Sequence, residues 1–380
     1  MSKVLFEITE EQLETGMRGY PVGYCTTSSV DPQKGLFYRG KKVAEIADYT
    51  PEQMIHLLHT GGKGDLKDFS KKLRENCAIS SEVIKHIEEL PREGHPMKLF
   101  PAALLILGMF EESGDYEKDC MTLIAKLPHL VATLINHHAG WGKTPAPDPK
   151  KAYMEDFAAM LNVPDCDRKI LHEVMALFNI MHYDHGGGNL SAFTGKTIAS
   201  GLEDLFGSIA GSMCALAGPR HGKANQDCLE FVKQVEKTVG ANASESDVEK
   251  LIRERLANKK LVFGFGHAVL RVEDPRATIF YEYCEKHFPD HPLVKIALHL
   301  RSAGPKVLAE NEKISNPYPN VDAISGTMLT AAGFAYPEYF TVLFGLSRSV
   351  GIATQIVYER TEARSGKGTP ITRPKYIYRG

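Results

Sequence analysis

The sequence contains no Cys-x-x-Cys pair. Its seven cysteines, Cys25, Cys77, Cys120, Cys166, Cys214, Cys228 and Cys284, are odd in number and widely scattered. That pattern argues against a disulfide frame or a thiolate zinc site and for reduced thiols in the cytoplasm. An excess of charge of either sign is missing too: 45 Lys and Arg against 47 Asp and Glu leave a formal charge of -2. No overall positive field therefore advertises nucleic acid or an anionic membrane, and any anion binding must be local. Apolar runs are short. The longest, Leu99 to Phe110, is interrupted by Pro101 and cannot cross a bilayer. The stretch before Gly16 carries four glutamates and one lysine, which fits neither a secretory signal nor an Arg-rich transit peptide. Repeats, low-complexity tracts, a phosphate-binding P-loop and a serine or cysteine elbow are all lacking. These absences lead to the expectation of a soluble cytoplasmic protein.

What is present is helix grammar. The chain has 380 residues, 43% apolar and 24% charged, enough for one large core or two unequal domains. Thr50-Pro51-Glu52-Gln53 has capping-box spacing with proline in the first turn, Met54, Ile55, Leu57 and Leu58 form a buried stripe, and Gly61-Gly62 ends it. Ser81 to Leu90 repeats the pattern with Val83, Ile84, Ile87 and Leu90, and Ser246 to Glu249 reads as another capping box before Leu251 and Ile252. Strand signals are sparse and near the N-terminus: Lys3 to Thr9, and a hairpin-like piece at Leu36-Phe37-Tyr38 between Gly35 and Gly40. The fold class expected is mainly α with minor β. Gly218-Pro219 and Asn316-Pro317-Tyr318-Pro319-Asn320 are candidate joints, which divides the chain into a large domain, 1–218 with 326–380, and a smaller inserted domain, 219–325.

Five stretches carry chemistry. In Phe263 to Arg276, FGFGHAVLRVEDPR, Gly264 and Gly266 precede His267, and Arg271 and Arg276 follow. Glycines let the backbone bend close to a ligand, and the arginine forks suit carboxylates or phosphates; the bland alternative is a solvated surface loop. His182-Tyr183-Asp184-His185-Gly186-Gly187-Gly188-Asn189 leaves amides and histidines open to a ligand, or else is a glycine-ended helix beside satisfied core histidines. Its ligand-type residues lack the i, i+4 spacing of a helical metal pair. His221, held in Gly218-Pro219-Arg220-His221-Gly222, could donate to an oxygen that gains negative charge, or be incidental to a helix entry. Asp322 in Asn320-Val321-Asp322-Ala323-Ile324-Ser325-Gly326 could be an ordinary helix N-cap or a desolvated base at a domain joint. Arg348 lies within the apolar segment Tyr339 to Tyr358, where a guanidinium must meet an anion or remain uncompensated. Arg373 sits in a tail that could reach another subunit. Three histidines, one carboxylate and several arginines suggest carbon-acid chemistry on anionic substrates.

Eight motifs occur in order: GMRG (Gly16 to Gly19), HPM (His95 to Met97), DHGGGNLSAF, GPRHGKAN, GFGHAVLRVEDPR, NVDAISG, LFGLSRSVG and RPK (Arg373 to Lys375). Together they resemble the citrate synthase family, in particular its mitochondrial-type branch, from Gly16 to Lys375. The resemblance implies an all-α, two-domain homodimer whose small helical domain closes over the substrates. It also implies a Claisen-type condensation of acetyl-CoA with oxaloacetate, followed by thioester hydrolysis to citrate and CoA within the tricarboxylic acid cycle. By the same resemblance His221 donates to the acetyl thioester oxygen, Asp322 removes the methyl proton, and His267 polarises the oxaloacetate ketone. Oxaloacetate is held by His185, Arg276, Arg348 and, from the partner subunit, Arg373. Arg18 and Arg271 match arginines that contact the CoA phosphates. No metal and no tightly bound cofactor are implied; acetyl-CoA is a co-substrate.

Two departures stand out. The segment 134–143 has no arginine where mitochondrial-type enzymes present one to CoA across the dimer, leaving Lys143 as the substitute, and Ile324 stands where relatives often have histidine. Two other functions stay open: a 2-methylcitrate synthase using propanoyl-CoA, separated by one methylene worth ~1–3 kcal/mol, and a non-catalytic metabolite-binding dimer.

Overall fold

A computed structural model of the chain describes residues 4–240 and 242–380. Its helices are α1 Pro51–Thr60, α2 Leu66–Glu75, α3 Ser81–Glu88, α4 Leu99–Glu111, α5 Tyr116–Ala139, α6 Tyr153–Met160, α7 Arg168–His182 and α8 Leu190–Ala199, then α9 Leu205–Leu216, α10 Ala224–Val239, α11 Glu245–Ala257, α12 Pro275–His287, α13 Pro292–Leu308, α14 Asp322–Ala331 and α15 Phe340–Val357. With 58% helix and 3% strand, the fold is mainly α, as the sequence implies.

The capping box at Thr50 forms: its Oγ1 accepts from the Gln53 amide at 3.2 Å, and Gln53 Oε1 accepts from the Thr50 amide at 2.7 Å. The box expected at Ser246 and Glu249 lies two residues earlier. Ser244 Oγ accepts from the Asp247 amide (3.3 Å), and Asp247 Oδ2 accepts from the Ser244 amide (2.9 Å), so aspartate fills the position sought for a longer acid. The expected strand at Lys3 to Thr9 is absent in its described part, with Lys3 itself outside the described residues. Val4 to Thr9 is irregular and exposed, because no neighbouring strand offers a ladder to pair with. Among the described residues, sheet forms only in β1 (Ser28–Asp31), β2 (Gly35–Tyr38) and β3 (Lys41–Lys42), an antiparallel set in register Ser28 to Tyr38 and Phe37 to Lys42.

Helix α15 is the axis of the main core. Its apolar length would suffice to cross a bilayer, yet its most apolar window is wholly buried inside the protein, against α5, α7, α8 and α9. A second apolar cluster, including Phe231, Val235, Val248, Ile252, Ile296 and Val307, belongs to α10, α11 and α13. Helices α12 and α14 contribute Ala277, Phe280, Ile324 and Met328 to the main core instead. They join the second cluster to the rest of the molecule, and the candidate site lies along that seam.

Candidate active site

Two loops are laced together beside α14. The Gly266 amide donates to the Tyr318 carbonyl (3.0 Å), the Asn320 amide to the Gly264 carbonyl (2.9 Å), and the Asp274 amide to the Pro319 carbonyl (3.1 Å). Side chains add to this: Asn320 Nδ2 donates to the Gly266 carbonyl at 3.0 Å and Asn316 Nδ2 to the Leu270 carbonyl at 2.6 Å. Gly264 adopts φ +83°, and a Cβ there would fall 2.9 Å from the Ala323 Cα, so only glycine allows this approach. The proline-rich segment 316–320 thus ties the His267 loop to the start of α14.

That lacing sets the chemistry of His267. Its Nδ1 accepts from the amides of Val269 (3.0 Å) and Leu270 (2.9 Å). An acceptor nitrogen carries no proton, so the ring proton is on Nε2, which is left free to donate. Burial, reinforced by the Arg276 charge, pushes the His267 pKa down to about 4; the ring is neutral near pH 7. Asp322 is the first residue of α14, not its N-cap: Val321 holds that position without a side-chain cap bond, and Asn320 Oδ1 accepts from the Asp322 amide at 3.0 Å. Desolvation lifts the Asp322 carboxyl to about 6, with Arg276 opposing the shift. Its two readings, cap or desolvated base, resolve toward a carboxylate relieved of capping.

His221 lies just before α10. Its Nε2 accepts from the Ser191 amide at 3.4 Å, and since an amide can only donate, Nδ1 carries the proton. Burial, then the charge of Arg348, lowers its pKa to about 4. The His185 ring lies 5.2 Å from that of His267. Its Nε2 is buried without a partner, and burial, Arg276 and Arg348 hold its pKa well below the usual range.

The arginines differ from one another. Arg276 is 3% exposed and grips Asp274 through Nε (3.1 Å) and Nη2 (2.7 Å). Arg348, 1% exposed, has no carboxylate within ion-pair reach among the described residues. Its Nε donates to the His182 carbonyl (3.0 Å), its guanidinium covers the Phe344 ring at 4.7 Å, and Nη1 has no partner. Burial lowers its pKa to about 10, with Asp184 opposing. A buried guanidinium nitrogen without an acceptor is costly, and an incoming anion would relieve that cost.

Three of the expected arginines are exposed. Arg373 is exposed in the C-terminal tail, whose neighbouring Thr372 amide donates to Ser200 Oγ (2.9 Å). Arg18 is exposed in the turn from Gly16 to Gly19. Arg271 is exposed, and its Nη1 donates to the carbonyls of Val269 (3.0 Å) and Leu270 (2.8 Å). Sequence reasoning did not single out Phe344, whose ring also lies 6.4 Å from that of His221, or the buried Asp274, and it weighed the buried Asp184 only as a metal-ligand type. Asp184 accepts from Thr27 Oγ1, from Gln355 Nε2 (2.7 Å) and from the His185 amide (2.8 Å). Asp274 could have been found from its position two residues before Arg276 at a helix start.

The family model for the citrate synthase C-terminal domain matches residues 16–375. The chain belongs to the citrate synthase family. It is 36% identical to the mitochondrial citrate synthase of Daucus carota, over 98% of this chain and 83% of that one. Identity to the mitochondrial citrate synthase of Saccharomyces cerevisiae is 33%, over 98% and 82%. Among solved structures, the citrate synthase of Thermoplasma acidophilum, in ternary complex with carboxymethyl coenzyme A and oxaloacetate, is similar with a TM-score of 0.84 and 25% identity, covering 97% of this chain and 96% of that one. The Thermotoga maritima citrate synthase gives 0.82 at 25% identity, over 97% and 96%. In this member of the family, His185, His221, His267, Arg276, Asp322 and Arg348 share one electrostatic neighbourhood.

Proposed function

We propose that this citrate synthase family enzyme condenses acetyl-CoA with oxaloacetate and hydrolyses the product to citrate and CoA, with Asp322, His221 and His267 as its catalytic residues. The observation that carries the reading is Asp322, a carboxyl lifted by burial to about 6 against the charges of Arg276 and Arg348, the same two arginines that help to lower the pKa of His267 and of His221. A thioester methyl proton is poorly acidic, so its removal by Asp322 requires simultaneous stabilisation of the thioester oxygen, supplied by His221 Nδ1–H. The enolic carbon then attacks the oxaloacetate ketone carbon while Nε2–H of His267 donates to the ketone oxygen. The resulting citryl thioester is hydrolysed by water, releasing the thiol of CoA. Arg348, with its unpartnered Nη1, and Arg276 bind the oxaloacetate carboxylates, and His185 Nε2 contributes a further polar contact. No metal is needed for any step.

The same reading includes a large domain, 1–218 with 326–380, and a small domain, 219–325, that closes to exclude water before the hydrolysis step. It is supported by the separate apolar cluster within the smaller segment. A homodimer supplies Arg373 across its interface, in keeping with that residue's exposure, and Arg18 and Arg271 contact CoA. The enzyme works in the cytoplasm, a reducing compartment that suits its seven free thiols.

Mixing the protein with acetyl-CoA and oxaloacetate should release free thiol, and Asp322→Asn and His221→Ala should each lower that rate by ~10²–10⁴-fold. Full activity in both variants would remove the assigned roles. Higher kcat/KM with propanoyl-CoA would reassign the substrate, and absent thiol release with normal oxaloacetate binding would make the protein a metabolite-binding dimer.

A further inference from the structure

The motifs that carry His221 and Asp322 each contain a small polar residue that the mechanism does not use. Asn225 lies four residues beyond His221, in the first turn of α10, and Ser325 lies three residues beyond Asp322, in the first turn of α14. The two side chains meet: Asn225 Nδ2 donates to Ser325 Oγ at 2.8 Å, with both residues fully buried. Most buried hydrogen bonds of this kind add only ~0.5–1.5 kcal/mol to stability, and packing of α10 on α14 alone would not require one.

The surroundings show how closely the two helices are held. A Cβ on Gly326 would fall 2.5 Å from Asn225 Oδ1, 3.0 Å from the Phe340 ring and 3.2 Å from the Leu229 Cβ. Asn225 Oδ1 lies in that contact without a hydrogen-bond partner, so the amide is confined by shape on one side and by Ser325 on the other. On the preceding loop, Thr341 Oγ1 donates to the Gly222 carbonyl at 3.3 Å, fixing the residue after His221.

We infer that Asn225 and Ser325 are positioning residues that hold His221 and Asp322 in register for proton abstraction from the acyl thioester. The inference rests on the roles assigned above. Those roles require one ligand to meet Asp322 at its methyl carbon and His221 at the adjoining carbonyl oxygen, two atoms separated by a single intervening carbon. Base and donor must then keep a fixed mutual geometry, and misplacement by about 1 Å costs ~10²-fold in rate. The bond between the two helix starts fixes that geometry without touching the ligand or the oxaloacetate-binding arginines.

The test compares the wild type with Ser325→Ala, and with Ser325→Cys should the alanine variant fail to fold, using acetyl-CoA deuterated at its methyl group. Expected are a kcat lowered by roughly tenfold or more, an unchanged dissociation constant for oxaloacetate, and a larger deuterium isotope effect on kcat/KM for acetyl-CoA, because proton abstraction alone has been slowed. A bond that served stability only would lower the melting temperature and the active fraction while leaving the isotope effect as in the wild type; that result overturns the inference. Asp322→Asn is the control: if it stays active the assigned roles fail, whereas an inactive Asp322→Asn beside an unchanged isotope effect in Ser325→Ala removes the positioning role alone.

Discussion

Asp322 is a helix-starting aspartate that does not cap, because the N-cap position belongs to Val321, and burial raises its carboxyl to about 6. If Asp322 is the base, activity should fall as pH drops through about 6, since the protonated carboxyl cannot accept the methyl proton. A kcat/KM profile for acetyl-CoA checks this, and a flat profile between pH 5 and pH 7 would contradict it. The neighbouring histidines make stability, too, fall on acidification. His221 and His267 have folded pKa values near 4 against 6.5, so as pH falls the unfolded chain takes up protons first. Their contribution is complete above about 6.5 and is lost as pH falls through about 4. Asp322, raised from 3.8, binds its proton more tightly when folded and offsets part of that loss. Urea unfolding at pH 7 and pH 5 should therefore show lower stability at pH 5, with a steeper loss in Asp322→Asn and a shallower one in His267→Gln.

At the scale of elements, α15 carries Arg348 into the site and depends on a close backbone crossing to do so. A Cβ on Gly351 would fall 2.3 Å from the Tyr183 carbonyl and 2.7 Å from the Asp184 Cβ. A glycine inside a helix normally costs ~0.5–1 kcal/mol relative to alanine, so Gly351→Ala would stabilise an isolated helix. Here the obstructing atom is backbone, which cannot rotate away, and the overpacking penalty of ~1–3 kcal/mol should win. Gly351→Ala is expected to lower the melting temperature and raise the oxaloacetate KM, because Asp184 is held by Thr27, Gln355 and the His185 amide and cannot give way without moving the His185 segment; an increased melting temperature would show that the crossing yields. The laced segments 263–274 and 316–320 belong to the same scale. Proline and glycine in both stretches signal turns, but a sequence does not state that two turns fifty residues apart will bond to each other.

At the scale of the molecule, the proposed donation of Arg373 across a dimer has a distinctive consequence. Arg373→Ala and Asp322→Asn homodimers should each be nearly inactive, yet hybrids of the two should recover activity. In a hybrid, the protomer with intact Asp322 receives Arg373 from its partner, while the other site lacks its base. Thiol release after unfolding and refolding the mixed chains measures this, and no recovery in confirmed hybrids would place Arg373 within its own protomer or outside the site. The amino-acid sequence by itself determined the mainly α class, through capping residues and apolar periodicity, and the likeness to the citrate synthase family, through motifs spread along the chain. Within the described residues it misread Val4 to Thr9 as strand because propensity is local, whereas a strand exists only with a partner. Tertiary structure alone decided which nitrogen of His267 bears the proton, that Asp322 is desolvated instead of capping, that Arg276 is held by Asp274, and that Arg348 keeps an unpartnered nitrogen. Those properties arise from burial and from contacts between residues distant along the chain, which set the electrostatics of a site more strongly than the identities of its side chains.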